Sequence, residues 1–308
     1  MPSKLERMWF LWSKIETSKK KTCLFFWVLK KFENLNKCVI LCFIKRENEM
    51  KKAVNIYFTR ADTKKKLDAI KELGFDGVML TMCEKIETMT IEEQIDYCAK
   101  IGLEVVSVHC EYTDVMNTKF WNQNDEENEC FESYIKQIER LGKFGNYKMI
   151  LHFEGTTKDN ISDSKMHLIQ KLVDAAKKAK LTVCIENLHT EELVDLIFSN
   201  VKGTNLKMCY DVGHRNCFHP KADFVKKYAS KIVCNHLHNN NGREDEHKNL
   251  FHGVLDVKNL SKELAKISKN CEYATLEVKN RDPKADFVQY LAEAKKSLDL
   301  LDEELFNK

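Results

Sequence analysis

The stretch Leu206-Lys-Met-Cys-Tyr-Asp-Val-Gly-His214 decides how the rest of the chain is read. A short apolar run ends in a carboxylate at Asp211, and an imidazole follows three residues later across Gly213. The pattern reads as a β-strand that delivers both groups to its C-terminal rim. Alone it is weak, because ordinary strands also end in satisfied Asp/His pairs. Other apolar runs end the same way: Val108-His109, Ile150-Leu-His152, Cys184-Ile-Glu186, Cys234-Asn-His236-Leu-His238 and Thr275-Leu-Glu277. In a β/α barrel such ends converge on one face, so these residues, spread from His109 to Glu277, would form one pocket.

Outward from that stretch, strand and helix alternate from Met50 onward. Strands are expected at Val54–Phe58, Phe75–Leu80, Leu103–His109, Lys148–Phe153, Leu181–Glu186, Leu206–Tyr210, Ile232–His238 and Tyr273–Val278. They read as near-continuous apolar runs, as parallel strands buried on both faces should. Helical spacing predicts helices over Lys64–Leu73, closed by Gly74, and after Thr90-Ile-Glu-Glu93, a capping box. Further helices are expected around Phe131–Phe144 and over Ser162–Lys180, Thr190–Phe198, Phe224–Ala229, Leu260–Ile267 and Asp286–Leu301. Thr113–Glu129 reads as a polar loop. Eight strand–helix units in about 259 residues is close to the size of a (β/α)8 TIM barrel. A doubly wound open sheet would explain the alternation, but not why polar residues cap so many strands at one end.

Composition narrows the class. Hydrophobic residues make up 43% of the 308 and charged residues 31%, a globular balance. The 12 cysteines follow no regular spacing and no C-x-x-C occurs, which fits a reduced, cytoplasmic chain better than a disulfide framework. Of the net charge of +3, residues 1–49 contribute +6 from 11 Lys/Arg against 5 Glu, so the remainder carries −3. A slightly acidic body is a poor electrostatic footprint for nucleic acid and argues against it as a partner.

Residues 1–49 differ from residues 50–308, the expected single barrel domain. They hold three of the four tryptophans and no glycine. Their two apolar runs, Cys23–Leu29 and Cys38–Ile44, fall far short of the roughly 20 residues that span a bilayer. The expectation is an upstream extension or poorly ordered tail before a natural start at Met50, with a membrane-surface segment or a helix packed on the body as alternatives.

The rim residues His109, His152, Glu186, Asp211, His214, His236, His238 and Glu277 form a carboxylate–imidazole set, suited to a divalent transition metal. A lone histidine at a strand end is more often structural than ligating. Glutamate at the end of an apolar strand is harder to dismiss, and it occurs at both Glu186 and Glu277. The loop Asn239-Asn-Asn-Gly-Arg-Glu-Asp-Glu-His247 is either solvated or a lid carrying Arg243, Asp245 and His247. As part of a lid, Arg243 would hold an anion such as phosphate.

Ile185-Glu-Asn-Leu188, Tyr210-Asp-Val-Gly-His214, His236-Leu-His-Asn-Asn240, Asp245-Glu-His247 and Leu276-Glu277 together resemble the xylose isomerase-like TIM-barrel superfamily, and within it the sugar phosphate isomerases/epimerases. The resemblance runs from Met50 to the C-terminus. It implies a divalent metal (Mn, Co, Mg or Zn) on Glu186, Asp211, His236 and Glu277. His238 competes with His236, because the family's aspartate three residues after the ligand is replaced here by Asn239. It also implies Glu186 and Glu277 as the acid/base pair, with His214 polarising a substrate oxygen. His109, His152, His238, Arg243, Asp245 and His247 would line the substrate pocket. The implied substrate is a small sugar or sugar phosphate, with no membrane span, and barrels of this kind often pair as homo-oligomers.

Two other functions fit parts of the pattern. Endonuclease IV-type apurinic/apyrimidinic endonucleases, of the same superfamily, use three zincs. Their nine ligand positions fall on His109, His152, Glu186, Asp211, His214, His236, Asp245, His247 and Glu277, each a competent ligand. Against that stand the acidic body, Val212-Gly213 where that family resembles Thr-Cys, and the Asn239–Arg243 loop. A barrel that binds sugar or metal without catalysis is the third reading.

Overall fold

A computed structural model describes residues 50–154, 156, 161–282 and 284–306. The expectations for residues 1–49 lie outside the described residues.

The strands are β1 (Lys51–Asn55), β2 (Gly77–Thr81), β3 (Glu104–His109), β4 (Lys148–Leu151), β5 (Thr182–Glu186), β6 (Leu206–Asp211), β7 (Ile232–His236) and β8 (Tyr273–Leu276). From β1 to β7 each strand pairs in parallel with the next, and β1 also pairs in parallel with β8. The ring closes just beyond β7, where Leu237 N–H donates to Thr275 O (2.8 Å) and Glu277 N–H donates to Leu237 O (3.1 Å). Closure excludes the doubly wound open sheet. The protein is a (β/α)8 TIM barrel.

Among the described residues, ten helices surround or cap it: α1 (Thr63–Glu72), α2 (Ile91–Ile101), α3 (Asp114–Asn122), α4 (Glu129–Leu141), α5 (Asp163–Lys178), α6 (Glu191–Asn200), α7 (Val212–Phe218), α8 (Phe224–Tyr228), α9 (Val257–Ile267) and α10 (Phe287–Phe306). The Thr90 capping box forms as its residues predict. Thr90 Oγ1 accepts from Glu93 N–H (3.3 Å), and Glu93 Oε2 accepts from Thr90 N–H (2.8 Å). Two expectations are corrected. The first strand stops at Asn55, and Ile56–Phe58 form a 3-10 turn. The polar Thr113–Glu129 stretch contains α3, whose Phe120 and Trp121 are buried. Directly after Asp211 the chain enters a helix, α7.

Most of the core lies between strands and helices. A second, smaller cluster takes one residue from each strand: Ala53, Met79, Val106, Ile150, Cys184, Cys209, Cys234 and Tyr273. This is the barrel interior, and three of its side chains are thiols. The nine described cysteines are all free, and most are buried, as expected of cysteine used as a small hydrophobe.

Three buried asparagines supply side-chain amides where strand backbones part. Asn235 Nδ2 donates to Tyr273 O (2.7 Å) while its Oδ1 accepts from Thr275 N–H (2.9 Å). Asn187 spans the backbone of Asp211 in the same way (2.8 and 2.9 Å), and Asn55 that of Val278 (3.2 and 3.0 Å). Each amide pairs one N–H and one C=O that burial would otherwise leave unsatisfied. The three sit at the strand ends where the functional side chains emerge.

Candidate active site

The strand ends converge. His109, Glu186, Asp211 and His236 close β3, β5, β6 and β7; His152 and Glu277 follow β4 and β8 by one residue. Asp211 caps α7, its Oδ1 accepting from His214 N–H (2.6 Å), and this turn brings the His214 ring back over the barrel. His238 lies two residues past β7, and Asp245 and His247 come from the loop before α9.

Potential ligand atoms fall into groups whose members lie within 4.8 Å of one another: Glu186, Asp211, His236 and Glu277; His109, His152 and again Glu186; and, separately, His214, His238, Asp245 and His247. His236, not His238, therefore shares the group with Glu186 and Glu277. Arg243 stands exposed on its loop, with its backbone N–H held by Asn241 Oδ1 (2.9 Å), and belongs to none of these groups.

His236 Nδ1 lies 3.0 Å from Glu186 Oε1, 3.0 Å from Glu277 Oε2 and 3.6 Å from Asp211 Oδ2. One ring N–H serves one acceptor. Here it bonds Glu186, and buried Glu277 Oε2 has no hydrogen-bond partner. Three buried carboxylates around one imidazole nitrogen need more positive charge than that nitrogen carries. A divalent cation fits this donor set.

Neighbouring contacts fix the remaining orientations. His152 Nε2 is 2.8 Å from Glu186 Oε2 and 3.0 Å from His109 Nε2. His238 Nε2 meets Asp211 Oδ2 at 3.2 Å, and His247 Nε2 meets Asp245 Oδ2 at 2.8 Å. His247 has φ +50°, the left-handed region. It is held there by its Nδ1 against Glu277 O (3.0 Å) and by Lys279 N–H on its carbonyl (2.9 Å).

The charges answer one another. Burial pushes the Glu186 and Glu277 carboxyls up, but the surrounding imidazoles, His236 first among them with His152 beside Glu186 and His247 beside Glu277, together hold both well below the carboxylate range. Burial likewise depresses His236 and His214, yet Glu186 beside the first and Asp211 beside the second raise both well above the usual histidine value.

Sequence reasoning passed over two tyrosines. Tyr57, in the turn after β1, donates its hydroxyl to Glu277 Oε1 at 2.5 Å. Tyr112, three residues past His109, packs on the His152 ring at 3.9 Å between centroids. Each follows a strand end by two or three residues, a signal hidden when only carboxylates and imidazoles are sought.

Fold and site together define a β/α barrel with a buried carboxylate–imidazole centre at the C-terminal ends of its strands. The family model described as xylose isomerase-like TIM barrel matches residues 67–304, and the chain belongs to that family. Among curated proteins, the uncharacterised protein y4fM of Sinorhizobium fredii is 22% identical over 240 residues, spanning 66% of this chain and 76% of that one. A solved D-tagatose 3-epimerase-like protein superposes with a TM-score of 0.67 at 20% identity, covering 83% of this chain and all of its own length (100%). The IolI protein solved with a zinc atom gives a TM-score of 0.67 at 16% identity, over 84% of this chain and 100% of that one.

Proposed function

We propose that this protein is a metal-dependent isomerase or epimerase of a small sugar or sugar phosphate. The observation that carries the reading is the placing of both Glu186 and Glu277 3.0 Å from His236 Nδ1, with Asp211 completing the group. Resemblance to sugar epimerases and to a zinc-bearing barrel of the same fold supports it.

Glu186, Asp211, His236 and Glu277 would hold the cation, which supplies Lewis-acid polarisation of a carbonyl and its neighbouring hydroxyl. The protein's own groups move the proton. One of Glu186 and Glu277 takes it from the carbon between those oxygens, and the other returns it. Return to the opposite face of the same carbon gives epimerisation, and return to the adjacent carbon gives isomerisation. His214, held by Asn187 O at Nδ1 (3.1 Å), presents Nε2 towards Asp245 (3.5 Å) and stands ready to polarise a substrate oxygen. His109, His152, His238 and His247 would complete the pocket. Arg243, exposed on the lid loop, would meet an anionic substrate from the solvent side.

The test is solvent exchange. A panel of ketoses and their phosphates, incubated in deuterated water with Mn, Co or Zn, should gain deuterium at one carbon. Glu277→Gln should slow that gain about 100-fold or more with the fold intact. Unchanged exchange in Glu277→Gln would remove the acid/base assignment.

A second reading is favoured by one observation. The two flanking groups, His109–His152–Glu186 and His214–His238–Asp245–His247, give the rim donors for three ions rather than one. Three zincs per chain, with cleavage of DNA at abasic sites, would mark an endonuclease IV-type nuclease instead. About one metal per chain would favour the isomerase/epimerase.

A further inference from the structure

We propose that Cys209 gives the metal centre a thiolate floor, and that the centre therefore takes a thiophilic divalent cation of the zinc and cobalt type rather than magnesium or manganese. This rests on the metal-dependent reading above and adds to it a ligand of a different chemical kind.

The register of the barrel puts the thiol there. On adjacent strands Glu186 is paired with Cys209, Cys209 with Cys234, and Asp211 with His236. Alternation along β6 sends Cys209 and Asp211 to the same side, into the barrel. Cys209 thus lies one interior step below Asp211 and level with Glu186. One donor atom from each of Glu186, Cys209 and His236 lies within 4.8 Å of the others, and all three residues are buried. The same centre leaves one buried acceptor unpaired: Glu277 Oε2, 3.0 Å from His236 Nδ1, has no hydrogen-bond partner. The Cys184 and Cys234 side chains occupy the same interior cluster, so the floor is lined with sulfur.

Hard cations avoid thiolates, whereas zinc and cobalt accept them beside imidazole and carboxylate. On binding, the Cys209 Sγ–H proton passes to solvent as the Sγ–metal bond forms. If Cys209 were only filling the interior, it would leave no mark on a bound metal's spectrum.

The full chain, stripped with chelator, is titrated with cobalt(II) alone and followed by absorption. The expected result is a near-ultraviolet sulfur-to-cobalt charge-transfer band that is lost in Cys209→Ser and kept in Cys234→Ser. Cobalt should bind the unaltered chain about tenfold or more tighter than manganese, and Cys209→Ser should narrow that gap. Cobalt bound without the charge-transfer band would overturn the thiolate floor and leave the metal-dependent reading standing. No cobalt bound at all would overturn both. A band that survives Cys209→Ser and disappears in Cys234→Ser would move the sulfur ligand and overturn the assignment. The spectrum of the unaltered chain decides the first two outcomes even if Cys209→Ser does not fold.

Discussion

Gly213 carries no functional atom, yet the site depends on its lack of a side chain. A Cβ built there would stand 1.9 Å from His238 Cε1 and 2.2 Å from Nδ1. The His238 ring is buried and tied to Asp211, so it has little room to yield. Gly213→Ala is expected to destabilise the fold by about 1–3 kcal/mol, the usual cost of overpacking. It should also displace His238. Denaturant unfolding tests the first effect, and a weakened metal affinity tests the second; an alanine variant equal to the parent in both would show that the ring moves freely. Tyr57 makes the opposite case, where one hydroxyl matters more than the ring. It donates to the Glu277 oxygen that His236 does not face. A hydrogen bond to a charged group is worth about 1.5–3 kcal/mol. Under the proposed reaction, Tyr57→Phe should lower kcat/KM about tenfold or more while leaving the circular dichroism spectrum unchanged. Steady-state kinetics checks it, and an unaltered kcat/KM would mean that Glu277 holds its pose without help.

The turn that presents Tyr57 is braced from behind by α1. Lys66 Nζ lies 2.8 Å from both oxygens of Glu87 and 3.2 Å from Thr59 O, and Thr63 Oγ1 donates to Glu87 Oε2 at 2.7 Å. Both charged side chains are fully buried. Burial depresses the Lys66 ammonium and raises the Glu87 carboxyl, so each group depends on the other to stay charged. Lys66→Met should cost about 3–5 kcal/mol, because it strands a buried carboxylate. Lys66→Met with Glu87→Gln should recover much of that loss. A double-mutant cycle by urea unfolding measures the coupling, and additive costs would refute it. The pair linking α2 to α4 behaves differently because water reaches it. Hydrogen bonding from Arg140 holds Glu92 down at about 2 against its ordinary 4.5. A carboxyl depressed on folding adds stability above its unfolded value and loses it as the pH falls through the folded one. The difference in urea midpoint between the parent and Arg140→Met should therefore be present at pH 6 and shrink from about pH 4.5 downward. A difference that stays constant with pH would assign the effect to packing. Elements were legible where one pattern dominated. Strands buried on both faces show as apolar runs, and α2 declared its start through Thr90 and Glu93. Helix α3 stayed hidden because its capping Thr113 precedes a polar turn, and its anchors Phe120 and Trp121 come only near its end. Helix α7 begins directly after a strand with a glycine in its first turn, which reads locally as a bend. The convergence of the site was legible from the repeated polar strand endings. The choice of His236 over His238 was not, since both are buried imidazoles two residues apart, and only their different carboxylate partners separate them.

At the scale of the whole molecule, the rim is where the barrel's strands are drawn together through side chains. Glu186, Asp211, His236 and Glu277 come from β5, β6, β7 and the end of β8, and that span includes the β7–β8 seam. At that seam two backbone bonds at Leu237, just beyond β7, close the ring, and the side chain of Asn235 adds two more to the β8 backbone. A cation bound across these residues would tie the seam from above and relieve the crowding of buried carboxylates. Binding that favours the folded state adds about RT ln(1 + [L]/Kd), or about 4 kcal/mol at a thousandfold excess over Kd. For a barrel of this size that corresponds to a rise in Tm on the order of 10 °C. The expected outcome is a large increase in Tm on adding zinc or cobalt to chelator-treated protein, reversed by chelator. Asp211→Asn should lose most of that increase. Its own Tm without metal should fall less than removal of a buried ligand would suggest, because the substitution also removes one of the carboxylates that repel each other there. Thermal unfolding with and without metal, for both proteins, checks the two effects together. A Tm that is indifferent to every divalent cation tried would show that the imidazolium protons alone balance the rim, and that the barrel closes without an ion.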